Sequence, residues 1–215
     1  MSLPSKMLTP VSLCSMTTGD TLALGVAVGL PVLLGYLAGS HVRKFKVFYY
    51  RDVLKSSFIP PSWVFAPTWT ILYALMGYAS YLVYLTGQAH SISITRPLVY
   101  YVAQLAFNLC WPALFFRYRN IKVALYIITA NLVLALIATY KFGQVNMQAA
   151  QLMVPYLVWL TLAGYINKDM WRKNQANKLL AKEKLFAYPS NQEVAKAKLN
   201  IIIAQSSTSG EQKAE

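Results

Sequence analysis

The residues with chemical potential in this chain are aromatic rings and amides, not acid–base pairs. Trp69 and Tyr73 lie four apart, hence on one face of any helix that contains them, with Met76 a turn further along. Gln104 and Asn108 repeat that spacing in a second apolar run. Trp69, Tyr73, Phe116 and Trp159 can offer ring faces and Asn108 can orient a polar edge, a combination suited to a flat hydrophobic ligand. Each group also has a plainer use. An aromatic stripe packs helices together, and amides in an apolar interior bond to one another. From residue type and spacing alone, both uses stay open.

Other chemistries find little footing. The apolar runs 21–40, 63–86, 97–116, 123–140 and 145–166 contain no Asp, Glu, Lys, Arg or His, so no titratable pair meets inside them. Ser80 and Cys110 have no base in view, and no glycine-rich phosphate loop occurs. His41 and His90 are isolated from other ligand types, and Cys14 and Cys110 form no disulfide framework. No catalytic residue, metal site or cofactor is expected.

These side chains need elements to position them, and the five runs supply those elements. The chain has 215 residues, of which 56% are hydrophobic, and the apolar residues are gathered into long charge-free stretches. The stretch from Trp63 to Tyr84 would reach roughly 30 Å as a helix, enough to cross a hydrocarbon core. The reading is an all-α fold, an integral membrane bundle of five transmembrane helices. Residues 1–20 form a flexible tail, 21–172 the membrane domain and 173–215 a polar cytosolic extension. The first run resembles a signal peptide in part, but only Lys6 precedes it, and retention as a first helix is expected. Trp63 and Tyr84 bracket the second run as interfacial belt residues would.

Charge supports that count. With five crossings, Arg43, Lys44, Lys46, Arg51, Lys55, Arg117, Arg119, Lys122 and the cations after Asn167 share one side, against Lys6, Arg96 and Lys141 on the other. This asymmetry places the C-terminus in the cytosol. The net charge of +13 brackets hydrophobic spans and forms no soluble basic face, so anionic membrane lipids are the expected partners and nucleic acid is not. In the first run, Gly25, Gly29, Gly35 and Gly39 make small-xxx-small patterns; packing inside the bundle is preferred over dimerisation. Residues 41–62 are read as a long basic, aromatic loop, serving as a lid or lying on the headgroups as a short amphipathic helix.

Three ordered motifs carry a resemblance. PPSWVFAPTWTILYALMGYASYLVY over 60–84 is followed by Gln104-Leu105-Ala106-Phe107-Asn108 with Trp111-Pro112 and Phe115-Phe116, and then by Pro155-Tyr156-Leu157-Val158-Trp159. Together, over about residues 30–174, they resemble the translocator protein family, also called tryptophan-rich sensory proteins. The resemblance implies a ligand site formed by Trp63, Trp69, Tyr73, Asn108, Trp111, Phe116, Trp159, Ala163 and Ile166, with the 41–62 loop over its mouth. Leu162, Tyr165 and Lys168 fit a proposed sterol-contact pattern, an apolar residue, then Tyr, then a cation, and the resemblance adds Trp171 and Arg172, which align with the family's sterol motif. The partners it implies are porphyrins such as protoporphyrin IX and heme, cholesterol-like lipids and a second copy of the chain.

The function implied is a receptor or transporter that binds porphyrins and sterols and aids their movement between membranes. Two alternatives accompany it. One is a light- or oxygen-dependent porphyrin-degrading enzyme, in which Trp69 and Trp159 align with paired tryptophans of bacterial relatives. The other is a membrane scaffold acting through its loop and tail. Animal relatives imply the mitochondrial outer membrane, with the endoplasmic reticulum or another membrane as the alternative. The sequence departs from the family pattern at Val123, where many animal members carry Trp, near Ile127, where an acidic residue is usual, and at Lys168, which stands where the sterol-motif Tyr is usual.

Overall fold

The computed structural model describes residues 18–187, 196 and 198–200; the side chains of 41, 43–52 and 181–187 are not described. Five long helices follow in order: α1 Thr18–Asp52, α2 Ser62–His90, α3 Thr95–Pro112, α4 Ile121–Val145 and α5 Met147–Ala187, with a π-helical turn, Ala113–Arg117, between α3 and α4. No strand occurs among the described residues. The chain divides into two units, residues 1–171 and 172–215. In the second, α5 runs to Ala187, and Lys196 and 198–200 are helical. The N-terminal tail and the expected helix start at Ser190 lie outside the described residues.

The runs 21–40, 63–86 and 123–140 fall inside α1, α2 and α4, the run 97–116 spans α3 and the π turn, and the run 145–166 starts at the end of α4 and otherwise lies in α5; α1 and α5 continue well past their runs. α1 continues through most of the segment read as a loop, leaving only residues 53–61 as the connection to α2. The physical reason is the absence of a breaker: no Gly or Pro occurs between Gly39 and Pro60. α5 outlasts its run for the same reason, since no Gly or Pro intervenes between Gly164 and Pro189.

α1, α4, α5 and the α3–π segment are each long and apolar enough to cross a membrane. α2 falls short of that hydropathy although it carries no Asp, Glu, Lys or Arg, because Trp, Tyr, Pro and small residues fill it. Burial accounts for this composition. Leu72, Tyr73, Met76, Gly77, Ala79, Ser80, Tyr81 and Val83 of α2 are all buried. A helix sheathed by its neighbours is selected for close packing rather than for contact with lipid.

α1 packs against α2, and α3 against α4. Met76, Ala79, Val83, Ala135, Phe142, Ala149, Met153 and Tyr156 form the centre of the core, all within 0–1% exposure. Its alanines and Gly77 let backbones approach. A Cβ at Gly77 would collide with the backbone of Ala27 and Val28, and one at Gly35 with the Tyr73 ring. Gly25 and Gly29 do the opposite: both are exposed, with nothing near a built Cβ, and Gly39 also has open space there. The packing preferred for these small-residue patterns is therefore met by Gly35 alone among the four. Leu22, Val26 and Leu33 lie outward with Gly25 and Gly29, exposed by 54–69%.

Two connections are closed by asparagine. Asn120 caps α4 by accepting from the Val123 N–H at 3.0 Å. Asn146 is the one extended residue between α4 and α5; its Oδ1 accepts from Ala149 N at 3.1 Å while its Nδ2 donates to Thr86 Oγ1 at 2.9 Å. It thus caps α5 and ties that cap to α2. Asn146→Ala should lower unfolding free energy by about 1–2 kcal/mol, a lost cap plus a buried hydroxyl left without its donor. Thermal unfolding in detergent measures this, and an unchanged midpoint would show that the junction holds without its side chain.

Candidate ligand site in the aromatic interior

The site grows from a polar node where four helices meet. The Tyr156 hydroxyl, in α5, donates to Gln104 Oε1 of α3 at 2.7 Å and accepts from Asn108 Nδ2 of α3 and Asn131 Nδ2 of α4, each at 3.1 Å. One donor and two lone pairs are thereby used in full. Tyr73 of α2 completes the node by donating to Asn108 Oδ1 at 2.5 Å. Gln104 Nε2 faces Met76 Sδ at 3.8 Å. All these groups are buried, Tyr156 and Gln104 completely. In a low-dielectric interior such a network fixes the register of the four helices, since a slip of any one strands a polar group.

Around the node stand aromatic rings. Trp69 stacks on Tyr73 with centroids 5.6 Å apart, and meets Tyr156 and Trp159 edge-to-face at 6.4 Å each. Phe65 closes on Trp159 at 5.7 Å. The Trp159 indole N–H is buried and makes no hydrogen bond among the described residues. An indole donor in that position lacks the acceptor that buried tryptophans usually find.

A second aromatic group lies where the π turn follows α3. Pro112 has no N–H to give, and the backbone beyond it widens: Tyr118 N bonds back to Ala113 O at 3.0 Å and Asn120 N to Leu114 O at 3.1 Å. This presents Phe115 and Phe116 to Trp111, at centroid distances of 4.8 and 6.0 Å. Trp111 Nε1 donates to Asn167 Oδ1 at 3.0 Å, and Asn167 Nδ2 donates to the Ile121 carbonyl at 3.1 Å. Trp111 packs against both hydrophobic clusters and so joins the two groups.

The sequence-predicted residues therefore divide. Trp69, Tyr73, Asn108 and Trp159 surround the node, with Ala163 packed against the same core. Trp111, Phe116 and Ile166 belong to the second group. Trp63 stands apart at 74% exposure in the first turn of α2, where a belt residue would be. Of the sterol-contact set, Leu162 is half-buried, Tyr165 is 52% exposed and packs edge-to-face on Phe58 at 5.6 Å, and Lys168 is exposed. Trp171 is half-buried and Arg172, in the second unit, is exposed. Val123 lies outward on α4 at 37% exposure.

Sequence reasoning did not single out Tyr156, Asn131, Asn167 or Phe65 as members of the site. One signal was available: amides on separate apolar helices demand a shared partner, and a tyrosine in the middle of a charge-free run can serve several at once.

The interhelical node, the Trp69–Trp159 pair and the Trp111–Pro112 widening all fall within residues 27–172, the stretch that matches the TspO/MBR family. The chain belongs to the TspO/MBR family. It is 37% identical over 149 residues to the translocator protein of Bos taurus, covering 69% of this chain and 88% of that one. To the tryptophan-rich protein TspO of Chlorobaculum tepidum it is 33% identical over 153 residues, covering 71% and 96%. The tryptophan-rich sensory protein of Cereibacter sphaeroides is 35% identical over 126 residues, covering 59% and 77%. As a TspO/MBR protein with helices long and apolar enough to span, the chain is an integral membrane protein.

Proposed function

We propose that this TspO/MBR protein binds flat, largely apolar molecules, porphyrins and sterols, in the aromatic interior of its bundle and aids their movement between membranes, without catalysing their conversion. The observation that carries this reading is the buried Trp159 N–H, which lacks an acceptor beside the rings of Phe65 and Trp69. Ring faces supply most of the affinity for a flat ligand, and an acceptor on the ligand completes the orphan donor. The names of the relatives, translocator and sensory protein, accord with a carrier or receptor. The expected setting is the mitochondrial outer membrane with the C-terminus in the cytosol, and homodimers are expected there.

Protoporphyrin IX added to the detergent-purified protein should quench tryptophan fluorescence saturably. Trp159→Phe and Trp69→Phe, each normalised for its lost emission, should weaken binding about three- to tenfold, the value of one hydrogen bond or one aromatic contact. Quenching that never saturates and ignores both substitutions would mean that porphyrin only enters the micelle.

A second reading has one observation in its favour. Trp69 and Trp159 lie 6.4 Å apart, close enough for both indoles to touch one porphyrin, and indoles undergo one-electron oxidation. Repeated turnover of porphyrin in the dark would make the protein an enzyme. Loss only under light, in proportion to protein, would mark a photochemical side reaction of a binding protein.

A further inference from the structure

A cleft separate from the aromatic interior opens between α1, α2 and the start of α3. It holds about 440 Å³ and is lined by Gly19, Leu22, Ala23, Val26 and Ala27 of α1, by Ser80, Tyr81 and Tyr84 of α2 and by Leu98 of α3. The α1 residues recur every three to four positions and so form one face of that helix. The shape follows from the glycine contact described above. Where Gly77 meets the Ala27 backbone the two helices touch, so a wedge of space remains toward the Gly19 end. Fifteen residues of α2 separate Trp69 from Tyr84, about 22 Å along a helix, which puts the cleft and the aromatic interior in opposite halves of the bundle.

The cleft has an unmet polar group. Tyr81 is 3% exposed, and its hydroxyl is buried with no hydrogen-bond partner among the described residues. The Ser80 hydroxyl donates to the Gly77 carbonyl at 2.7 Å, so its proton is already engaged. Tyr84 adds a second phenol, the remaining walls are apolar, and Leu22 and Val26 at 69% and 55% exposure face outward, into lipid for a helix that crosses a bilayer. Gly19 is at the start of α1 and Leu98 is one turn into α3, so the cleft lies at the depth where hydrocarbon gives way to headgroups. Asp20, next to Gly19, adds negative charge at that level and disfavours an anionic headgroup.

We propose that this cleft is a lipid site, which takes one acyl chain of a zwitterionic or neutral glycerolipid from the leaflet at the N-terminal end of α1, with the lipid's ester carbonyl accepting from Tyr81. The volume lies within the range of small-ligand pockets. Burial of each methylene contributes about 0.8 kcal/mol, so several must seat to offset the loss of the lipid's freedom in the bilayer. This site is independent of any ligand in the aromatic interior.

The test is photolabelling of the full chain in phosphatidylcholine nanodiscs doped with a phosphatidylcholine that carries a diazirine in its acyl chain, mapped by mass spectrometry. Labelling of Tyr84 and Leu98 should exceed that of Leu136, a 51% exposed residue of α4 that reports bulk lipid. Ala23→Phe, which fills the cleft, should remove the excess while protoporphyrin IX quenching stays unchanged. Tyr81→Phe, which keeps the ring and deletes the hydroxyl, should reduce the excess about fivefold, the factor for one hydrogen bond of about 1 kcal/mol. If Ala23→Phe fails to fold, the wild-type ratio and Tyr81→Phe decide. Equal labelling of Leu98 and Leu136, or an excess indifferent to Tyr81→Phe, overturns the proposal. So does labelling of the cleft by a sterol diazirine and not by the phospholipid.

Discussion

Tyr156→Phe is expected to destabilise the protein by about 2 kcal/mol or more, although it removes a single oxygen. That oxygen serves Gln104, Asn108 and Asn131 at once. An average interhelical hydrogen bond inside a membrane bundle is worth about 0.6 kcal/mol, so three lost together give about 2. Leaving the amides buried without a partner pushes the cost upward. Tyr140→Phe, at a residue 65% exposed, should change stability by less than about 0.5 kcal/mol. Reversible unfolding in mixed micelles of rising SDS fraction measures both. Equal effects for the two substitutions would mean that water or backbone groups replace the node at little cost.

The second large effect is expected at Gly77. Its α-carbon lies where a methyl group would overlap the Ala27 carbonyl and the Val28 α-carbon, and a backbone cannot swing aside as a side chain can. Gly77→Ala should therefore push α1 off α2, at a cost of about 3 kcal/mol, the upper end for an overpacked core. Gly25→Ala and Gly29→Ala, which meet open space, should be neutral or slightly stabilising in a helix. The same unfolding assay ranks the three. Comparable losses at all three positions would show that α1 packs through its Gly25–Gly29 face instead.

That contrast shows what could be read from the sequence and what could not. Charge-free runs mark the helices because burying a charge in hydrocarbon is costly anywhere along them, a property visible residue by residue. Which glycine faces inward is not such a property. Gly25, Gly29 and Gly35 share one run, and only the rotation of α1 against Tyr73 and Gly77 selects Gly35. The end of α1 is not legible in the same way, because a basic segment suggests a surface loop, whereas continuation of the helix through Asp52 depends on the absence of Gly and Pro.

The site was legible to a similar degree. Trp69, Tyr73 and Asn108 announce themselves by four-residue spacing on apolar helices, and the structure gathers them with Trp159. The central place of Tyr156 is not legible, because its partners lie 25 to 52 residues away in sequence and no local spacing encodes a contact between helices. Trp63 shows the converse: its place beside the double proline fits the motif, yet its ring is exposed.

The most direct test of the binding site is ¹⁹F NMR of protein labelled with 5-fluorotryptophan, in which the five tryptophans, assigned by single Trp→Phe variants, each report their own surroundings. On titration with protoporphyrin IX, the Trp69 and Trp159 resonances should shift together and saturate at one ligand per chain, while exposed Trp63 stays near its starting position. Shifts confined to Trp63, or spread evenly over all five without saturation, would place the porphyrin outside the bundle and contradict a ligand site among these rings.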